Sequence, residues 1–177
     1  MRIMVQKFGG TSVATKERMR QVLGKVRTGL AAGCKVLVVL SARAGETNSL
    51  LALAQEWSEN PDPAELDQLV STGEQVSVAL FAMLLKDEGI AARSFTGQQI
   101  GILTDEVYCK ARIKHIDTDR ILSMFEQYDV LVVAGFQGVT REGRVTTLGR
   151  GCSDTSAVAL AAAAKADGKH PPSARRT

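Results

Sequence analysis

The sequence predicts an α/β fold built around a mostly parallel β-sheet with helices on both faces. Short, continuously apolar runs alternate along the 177-residue chain with longer segments in which apolar residues recur at helical spacing. A strand without polar alternation is buried on both faces, which is the usual situation in parallel sheets. Parallel strands need crossover connections, so the alternating helices fit the same fold class. In folds of this class, ligands bind at the carboxyl ends of the strands.

Four apolar runs are predicted as the buried strands of this sheet. They span residues 2–8, 35–41, 90–95 and 129–136, and a shorter strand is predicted at 144–148. The stretch 97–116 carries mixed signals, with a strand-like run around residues 100–105.

Helices are predicted over residues 15–33, 46–58, 64–89, 118–128 and 153–167. The first is amphipathic, and Gly33 stands where a helix stop is expected. The third contains a defect at residues 71–73, where the sequence reads Ser-Thr-Gly. Ser153 or Asp154 is predicted to cap the last helix, since both side chains accept hydrogen bonds from free helical amides.

Composition indicates a globular protein and excludes several kinds of partner. Hydrophobic residues make up 45% of the sequence, but no uninterrupted apolar run approaches the roughly 20 residues that span a bilayer. The first residues lack the features of a signal peptide, so we expect a cytoplasmic protein with no membrane partner. The formal charge of +3 comes from Lys169, Arg175 and Arg176 near the end of the chain. The rest is neutral, so we expect no nucleic-acid partner.

Cysteine and histidine are too sparse for several kinds of site. Cys34, Cys109 and Cys152 are widely spaced with no CxxC pair, which favours reduced thiols over a disulfide or a zinc site. His115 and His170 are the only histidines. A Ser-His-Asp triad is therefore hard to build, and a histidine-rich metal site is excluded.

Three polar clusters each follow a predicted strand, which places them at one edge of a parallel sheet. They are "KFGGTS" at 7–12, "SARAGETN" at 41–48 and "GF" at 135–136. Gly9 and Gly10 allow close approach of an anionic ligand to the backbone, and Lys7 adds a positive charge. The same residues could form a purely structural turn. The cluster is not a Walker A loop, because the lysine precedes the glycines.

Two further features allow a functional and a structural interpretation. "LGRGCSDT" at 148–155 places Arg150 between glycines at a helix start, which suits a carboxylate or phosphate, or is simply a capped helix after a loop. Glu74 interrupts an apolar helix, either as a solvent-facing residue or as an acceptor for a substrate ammonium. Thr47 and Asn48 could cap the helix that begins there.

Taken together, these segments resemble aspartate kinases of the amino-acid kinase family. The segments are "VQKFGGTSV", "SARAGETN", "STGEQVSVAL", "SFTGQQIGILT", "VVAGFQGV" and "TTLGRGCSDTSAVALAAAAKAD", and the resemblance covers residues 2–167. It implies a three-layer α/β/α sandwich whose first part binds mainly the amino acid and whose second part binds mainly the nucleotide. It also implies phosphoryl transfer from Mg-ATP to the side-chain carboxylate of L-aspartate.

The resemblance also implies roles for individual residues. Lys7 would stabilise the transferring phosphoryl group and Asp154 would orient Lys7. The ATP-binding set would be Lys7, Phe8, Gly9, Gly10 and Ser41. The aspartate-binding set would be Thr47, Glu74, Phe136, Arg150, Gly151, Cys152 and Ser153, with Glu74 near the ammonium and Arg150 on a carboxylate. Magnesium would be held mainly by ATP phosphates, so no protein metal ligand is expected.

The sequence departs from the family pattern at two places. Cys152 stands where the family loop usually has glycine, which costs roughly 1–2 kcal/mol if that position needs a positive φ. After residue 167 the family continues into its nucleotide-binding half, whereas here residues 168–177 form a basic, proline-containing tail that we expect to be disordered.

We therefore expect an aspartate kinase catalytic domain, of which residues 1–167 form the aspartate-binding part. The alternative is a non-catalytic fragment that at most binds aspartate or a full-length subunit. In either case we expect no appreciable kinase activity from the 177-residue chain alone. The chain could also form a homo-oligomer. A glutamate or carbamate kinase is disfavoured by "KFGGTS" together with "GRGCSDT".

Overall fold

The protein, described here from a computed structural model, alternates strands and helices along the chain; the structure describes residues 1–149 and 153–166. The strands are β1 (Ile3–Phe8), β2 (Lys35–Leu40), β3 (Ala92–Phe95), β4 (Ile102–Thr104), β5 (Ile113–Ile116), β6 (Val130–Ala134), β7 (Gln137–Val139) and β8 (Val145–Thr147). The helices are α1 (Lys16–Ala31), α2 (Glu46–Trp57), α3 (Pro63–Val70), α4 (Thr72–Asp87), α5 (Gly97–Ile100), α6 (Thr118–Gln127) and α7 (Ser153–Ala166), and a 3-10 turn covers Gly10–Val13.

The main sheet is parallel throughout and has the strand order β1-β2-β6-β3. Its four strands lie within the four runs that the sequence predicts as strands, so the prediction of these strands is confirmed. The central strands β2 and β6 are buried almost throughout, whereas the edge strand β3 exposes Arg93. Alternate side chains of the four strands point to opposite faces and enter two separate cores. Both faces of each central strand are thereby removed from water, which explains why these segments carry no polar alternation.

Helices cover both faces of the sheet and complete three layers. On one face, α1 and α4 pack against a core that includes Val36, Val38 and Leu40 of β2. On the other face, α6 and α7 pack against a core that includes Leu37 and Val39 of the same strand. The three-layer α/β/α sandwich around a mainly parallel sheet is therefore present as expected.

A second sheet, which the sequence did not predict, has the order β5-β4-β7-β8. It combines two antiparallel pairs with one parallel pair between β4 and β7. The mixed signals in 97–116 resolve into α5, β4 and β5, and the predicted short strand at 144–148 is β8. The strand β7 was not predicted separately, because three residues are too few to show an alternation in the sequence.

The C-terminal end of α1 agrees with the stop predicted from the sequence, whereas the start of α2 does not agree with the predicted cap. The Thr15 hydroxyl accepts from the Arg18 amide at 3.3 Å at the start of α1, and Gly33, at φ +72°, follows its end as predicted. The prediction that Thr47 or Asn48 caps α2 is wrong, since both lie inside the helix. Gly45 stands before α2 at φ +85°, a conformation that glycine adopts without steric cost.

The predicted defect at residues 71–73 is a real break between two helices. α3 ends at Val70 and α4 starts at Thr72, so Ser71 is the junction. The combined run Pro63–Asp87 is long and apolar enough to span a membrane by length and composition, but 56% of its most apolar stretch is buried inside the protein. Packing in the core accounts for that apolar character.

The last helix begins at Ser153, and Asp154 lies in its first turn. The predicted tail 168–177 lies outside the described residues, so the domain boundary near residue 167 stays a prediction.

Substituting Gly97 should test how tightly the second sheet meets α5. A Cβ atom there would lie 2.4 Å from the Gln137 carbonyl oxygen, so Gly97→Ala must displace β7. We expect Gly97→Ala to lower the free energy of unfolding by about 1–3 kcal/mol, measured by urea denaturation.

Gly24→Ala is the matched control, because Gly24 lies in α1 and a Cβ atom there meets no atom within 4 Å. It should stabilise the chain by up to about 1 kcal/mol through helix propensity. Equal effects of the two substitutions would contradict the close contact between α5 and β7.

Candidate active site

The carboxyl ends of three neighbouring parallel strands bring the predicted clusters together. Phe8, Leu40 and Ala134 lie level with one another in the register of β1, β2 and β6. Beyond them, the Ser41 amide donates to the Phe8 carbonyl at 3.2 Å, and the Gly135 amide donates to the Leu40 carbonyl at 2.9 Å. The parallel pairing therefore continues one residue past each strand and sets the three clusters side by side.

Lys7 and Asp154 form an ion pair at this edge. The Lys7 Nζ atom lies 3.1 Å from Asp154 Oδ1, with side-chain exposures of 30% and 56%. Lys7 alternates with Phe8 along β1, so it points to the sheet face that α7 covers, where the first turn of α7 supplies Asp154. Solvent screens a pair this exposed, so its contribution to stability is small and its main effect is to orient the ammonium.

The two glycines after β1 differ in what they do. A Cβ atom on Gly9 would lie 3.7 Å from Lys7 Nζ, which shows that the Gly9 backbone is next to the ammonium. A Cβ atom on Gly10 would lie only 2.6 Å from the Ala42 carbonyl oxygen. The Gly10 carbonyl also accepts from the Ala44 amide at 3.2 Å, so Gly10 is required for close packing of two strand-end loops.

Glu74 is buried in the first turn of α4 and only partly paired. Its residue exposure is 3%, so the solvent-facing interpretation is wrong. Oε1 accepts from the Ala42 amide at 3.0 Å, whereas Oε2 is buried without a hydrogen bond in the described part of the chain. Burial raises the pKa of Glu74 to about 7, and the Ala42 N–H opposes this shift. An unpaired buried carboxyl group is suited to accept a proton or a cationic ligand.

Phe136 follows β6 in a strained backbone conformation. Its φ of +67° is rare for a residue with a side chain and costs on the order of 1–3 kcal/mol. The Phe136 amide donates to the Ser156 hydroxyl oxygen at 3.1 Å, and the Phe136 carbonyl accepts from the Leu148 amide at 2.9 Å. These two bonds hold the strained residue between α7 and β8.

The other predicted residues take less direct positions. The Phe8 side chain is buried in the core on the α1 and α4 face, so its contribution to a site is confined to its backbone. Ser41 is half-buried at the end of β2, and Thr47 is half-buried in the first turn of α2. Arg150, Gly151 and Cys152 lie outside the described residues, and for Ser153 only the backbone, at the start of α7, is described.

Sequence reasoning missed four residues that hold the site together. Ala42 carries the amide that bonds Glu74, and Ser156 holds Phe136. Asp67 and Gln137 are buried polar residues that bond across the fold, at exposures of 0% and 2%. Gln137 gave a usable signal, because it is a polar residue within the otherwise apolar run "VVAGFQGV", where burial requires hydrogen bonds. Asp67 gave none, because Glu65 and Gln68 make its surroundings polar in the sequence.

Metal-binding residues are not grouped in the described part of the chain. Within residues 1–149 and 153–166, no three His, Cys, Asp or Glu side chains lie close enough together to hold an ion. Cys34 is a buried free thiol and Cys109 an exposed one. Cys152 lies outside the described residues.

At its carboxyl edge the parallel α/β sandwich carries an ion-paired lysine, a tight glycine turn and a buried carboxyl group. This edge is where folds of the α/β class bind their ligands. The sequence model of the amino acid kinase family matches residues 2–168. The chain therefore belongs to the amino acid kinase family.

Curated relatives of the chain include proteins named as aspartate kinases. An aspartate kinase of Stutzerimonas stutzeri is 56% identical over 167 residues, which cover 94% of this chain and 40% of that protein. The aspartokinase of Pseudomonas aeruginosa has the same identity and the same shares of coverage. The chain thus spans about two fifths of the length of the curated relatives it matches.

Solved aspartokinases share the fold. Aspartokinase III of E. coli, solved with aspartate and ADP, superposes with a TM-score of 0.75 at 29% identity, covering 92% of this chain and 47% of that one. The expected fold is confirmed by this match.

The buried carboxyl of Glu74 should make stability depend on pH. A pKa of about 7 in the folded chain, against 4.5 as the ordinary value, means that the folded state retains a proton that the unfolded state loses. This contribution is complete below pH 4.5 and is lost as the pH rises to about 7. Glu74→Gln should therefore gain about 2–3 kcal/mol relative to wild type between pH 5 and pH 8.

Urea denaturation of both proteins at several pH values measures this difference, and Glu126→Gln, an exposed position on α6, controls for loss of a carboxyl group. Parallel pH profiles for wild type and Glu74→Gln would show that Glu74 does not titrate in this range.

Proposed function

We propose that this chain carries the aspartate-binding part of an aspartate kinase. The whole protein would transfer a phosphoryl group from ATP to the side-chain carboxylate of L-aspartate, giving 4-phospho-L-aspartate, the first step of lysine, threonine and methionine biosynthesis. The observation that carries the proposal is the Lys7–Asp154 ion pair at 3.1 Å beside Gly9, at the carboxyl edge of the parallel sheet. The aspartate and ADP bound in the related E. coli enzyme support the same substrates.

Lys7 is proposed to stabilise the phosphoryl group during transfer. Its ammonium is held by Asp154 but is 30% exposed, so it is oriented and still open to a ligand. A fixed positive charge lowers the energy of a transition state in which oxygen atoms crowd around phosphorus. Gly9, Gly10 and Ser41 line the same edge and are proposed to lie by the phosphates of ATP, with Phe8 contributing through its backbone.

Glu74 is proposed to bind the ammonium of aspartate. Its Oε2 atom has no hydrogen bond in the described structure, and its neighbour Oε1 is already fixed by Ala42. A cationic group beside Oε2 would favour the ionised carboxylate, which burial alone disfavours. Binding would therefore supply a charge partner that residues 1–149 and 153–166 do not supply.

The remaining aspartate contacts are proposed from the family resemblance. Thr47 and Phe136 belong to this set, together with Arg150, Gly151, Cys152 and Ser153. Arg150 is proposed to grip a carboxylate with two parallel hydrogen bonds, which its planar guanidinium allows. Because the substrate carboxylate is itself the nucleophile, the reaction needs no general base, and the scarcity of histidine is no obstacle.

Magnesium is proposed to enter with ATP and to be held mainly by the phosphates. The described residues show no cluster of side chains that would bind it independently. Once bound, the ion would neutralise charge on the phosphate oxygens. We further propose that the protein is cytoplasmic. It would associate with itself or with full-length aspartate kinase subunits.

The role of Lys7 can be tested in a chimera in which residues 1–166 replace the matched segment of the Stutzerimonas stutzeri aspartate kinase. Lys7→Ala should lower kcat by about 10²–10³-fold, because a charge that acts in the transition state is lost. The KM for aspartate should change much less. A coupled hydroxamate assay measures both constants.

Lys35→Ala is the matched control. Lys35 is 29% exposed and pairs with Asp129 at 2.8 Å, but it lies at the opposite end of the sheet, at the start of β2. Its removal should leave kcat near that of the unsubstituted chimera. A similar loss in both variants, or a Lys7→Ala effect confined to the KM for aspartate, would refute the proposed role.

A further inference from the structure

Hydrogen bonds between buried polar residues connect the junction of α3 and α4 to the β7–β8 hairpin. Two positions one turn apart on the helix each bond to one of two paired residues on the hairpin. Asp67 and Ser71 lie four residues apart, one helical turn, while Gln137 and Thr147 are direct partners across the hairpin. Asp67 bonds Thr147, and Ser71 bonds Gln137, so each helix position meets one member of the strand pair. All four residues are at most 2% exposed.

The bonds in this pattern are short and satisfy buried groups. Asp67 Oδ2 accepts from the Thr147 amide at 2.8 Å and from the Cys109 amide at 2.9 Å, and Asp67 Oδ1 accepts from the Thr147 hydroxyl at 2.5 Å. The Gln137 Nε2 atom donates to the Ser71 carbonyl at 2.9 Å. A one-residue slip would leave several polar groups buried without partners, so the bonds fix one register between helix and hairpin.

The pattern connects the two segments that carry the proposed substrate contacts. Gln137 directly follows Phe136, and Ser71 precedes Glu74 by three residues at the start of α4. The Gln137–Ser71 bond therefore joins the backbone beside Phe136 to the helical turn that carries Glu74.

The start of α4 has little freedom to shift without changing the contacts of Glu74. A Cβ atom on Gly73 would lie 2.9 Å from the Ala42 Cβ atom, so helix and loop are in close contact there. Glu74 Oε1 meets the Ala42 amide at 3.0 Å in the same place. A small displacement of this turn would lengthen that hydrogen bond and move the unpaired Oε2 atom.

We propose that Gln137, Asp67 and Thr147 are positioning residues. Their hydrogen bonds set the distance between Glu74 and Phe136, so that the two residues can contact the same amino-acid substrate. This inference rests on the proposed function, because the separation matters for binding only if both residues face the same ligand. None of the three residues needs to contact that ligand.

Gln137→Met tests the inference with a side chain of similar size that cannot donate to Ser71. Thr104→Val is the matched control. It removes the buried hydrogen bond between the Thr104 and Thr146 hydroxyls, which are 2.6 Å apart. That bond lies in the same sheet but does not connect it to α3. Each variant loses one buried hydrogen bond, so both should lose stability. Thr147→Val, which loses only the hydroxyl bond to Asp67, gives a milder variant if Gln137→Met does not fold.

The first measurement is amide hydrogen exchange of Ala42 by NMR in the 177-residue chain without ligand. After correction for global stability, Gln137→Met should exchange the Ala42 amide at least about tenfold faster, because the carboxyl that accepts from it is displaced. Thr104→Val should leave Ala42 exchange unchanged. Unchanged Ala42 exchange in Gln137→Met, or in Thr147→Val if that variant is used, overturns the inference.

The second measurement is the Kd for L-aspartate by calorimetry in the same proteins. Gln137→Met should weaken binding by about tenfold or more, whereas Thr104→Val should stay within about twofold of wild type. Equal Kd values for Gln137→Met and wild type overturn the inference. If wild type itself does not bind aspartate, the proposed function fails, and Ala42 exchange still decides whether Gln137 positions Glu74.

Discussion

The parallel register of β1, β2 and β6 is the constraint on which the rest of the structure depends. It sets Phe8, Leu40 and Ala134 at one level, so the segments that follow must leave the sheet side by side. Strands that are apolar on both faces make this register costly to change, because a slip by one residue would exchange the two cores. The position of the candidate site is thus decided by hydrophobic packing before any of its polar groups is considered.

Ala42 shows how closely the strand ends meet. Its carbonyl leaves no room for a side chain on Gly10, its Cβ atom leaves none on Gly73, and its amide fixes Glu74. The glycines of "KFGGTS" therefore have a structural explanation at Gly10 and a position beside the Lys7 ammonium at Gly9. A structural role of this cluster is compatible with the proposed functional one, because close backbone packing brings the charged groups to one edge.

Features with a local signal in the sequence could be predicted. The four strands of the main sheet, the α3–α4 break and the Gly33 stop depend on runs or residues within a few positions of one another. The placement of Lys7 beside Asp154 came from the family resemblance, and the ion pair agrees with it.

Features that depend on distant contacts could not be predicted from the residues alone. The bond between Asp67 and Thr147 joins positions 80 residues apart, and no local pattern encodes it. The burial of Glu74 depends on the Ala42 loop, since a helical period shows which residues share a face but not what covers them. The strand β7 was missed because three residues after a strained Phe136 carry too little alternation.

The proposed function requires that the carboxyl edge of the parallel sheet binds the amino-acid substrate. The most direct measurement is a two-dimensional amide NMR titration of the 177-residue chain with L-aspartate, with L-asparagine as the control ligand. We expect L-aspartate to shift the amide signals of Ala42, Glu74 and Phe136. The amide signals of Lys35 and Asp129, at the opposite end of the sheet, should stay unchanged. Shifts at Lys35 and Asp129 instead, or identical shifts with both ligands, would contradict the proposed function.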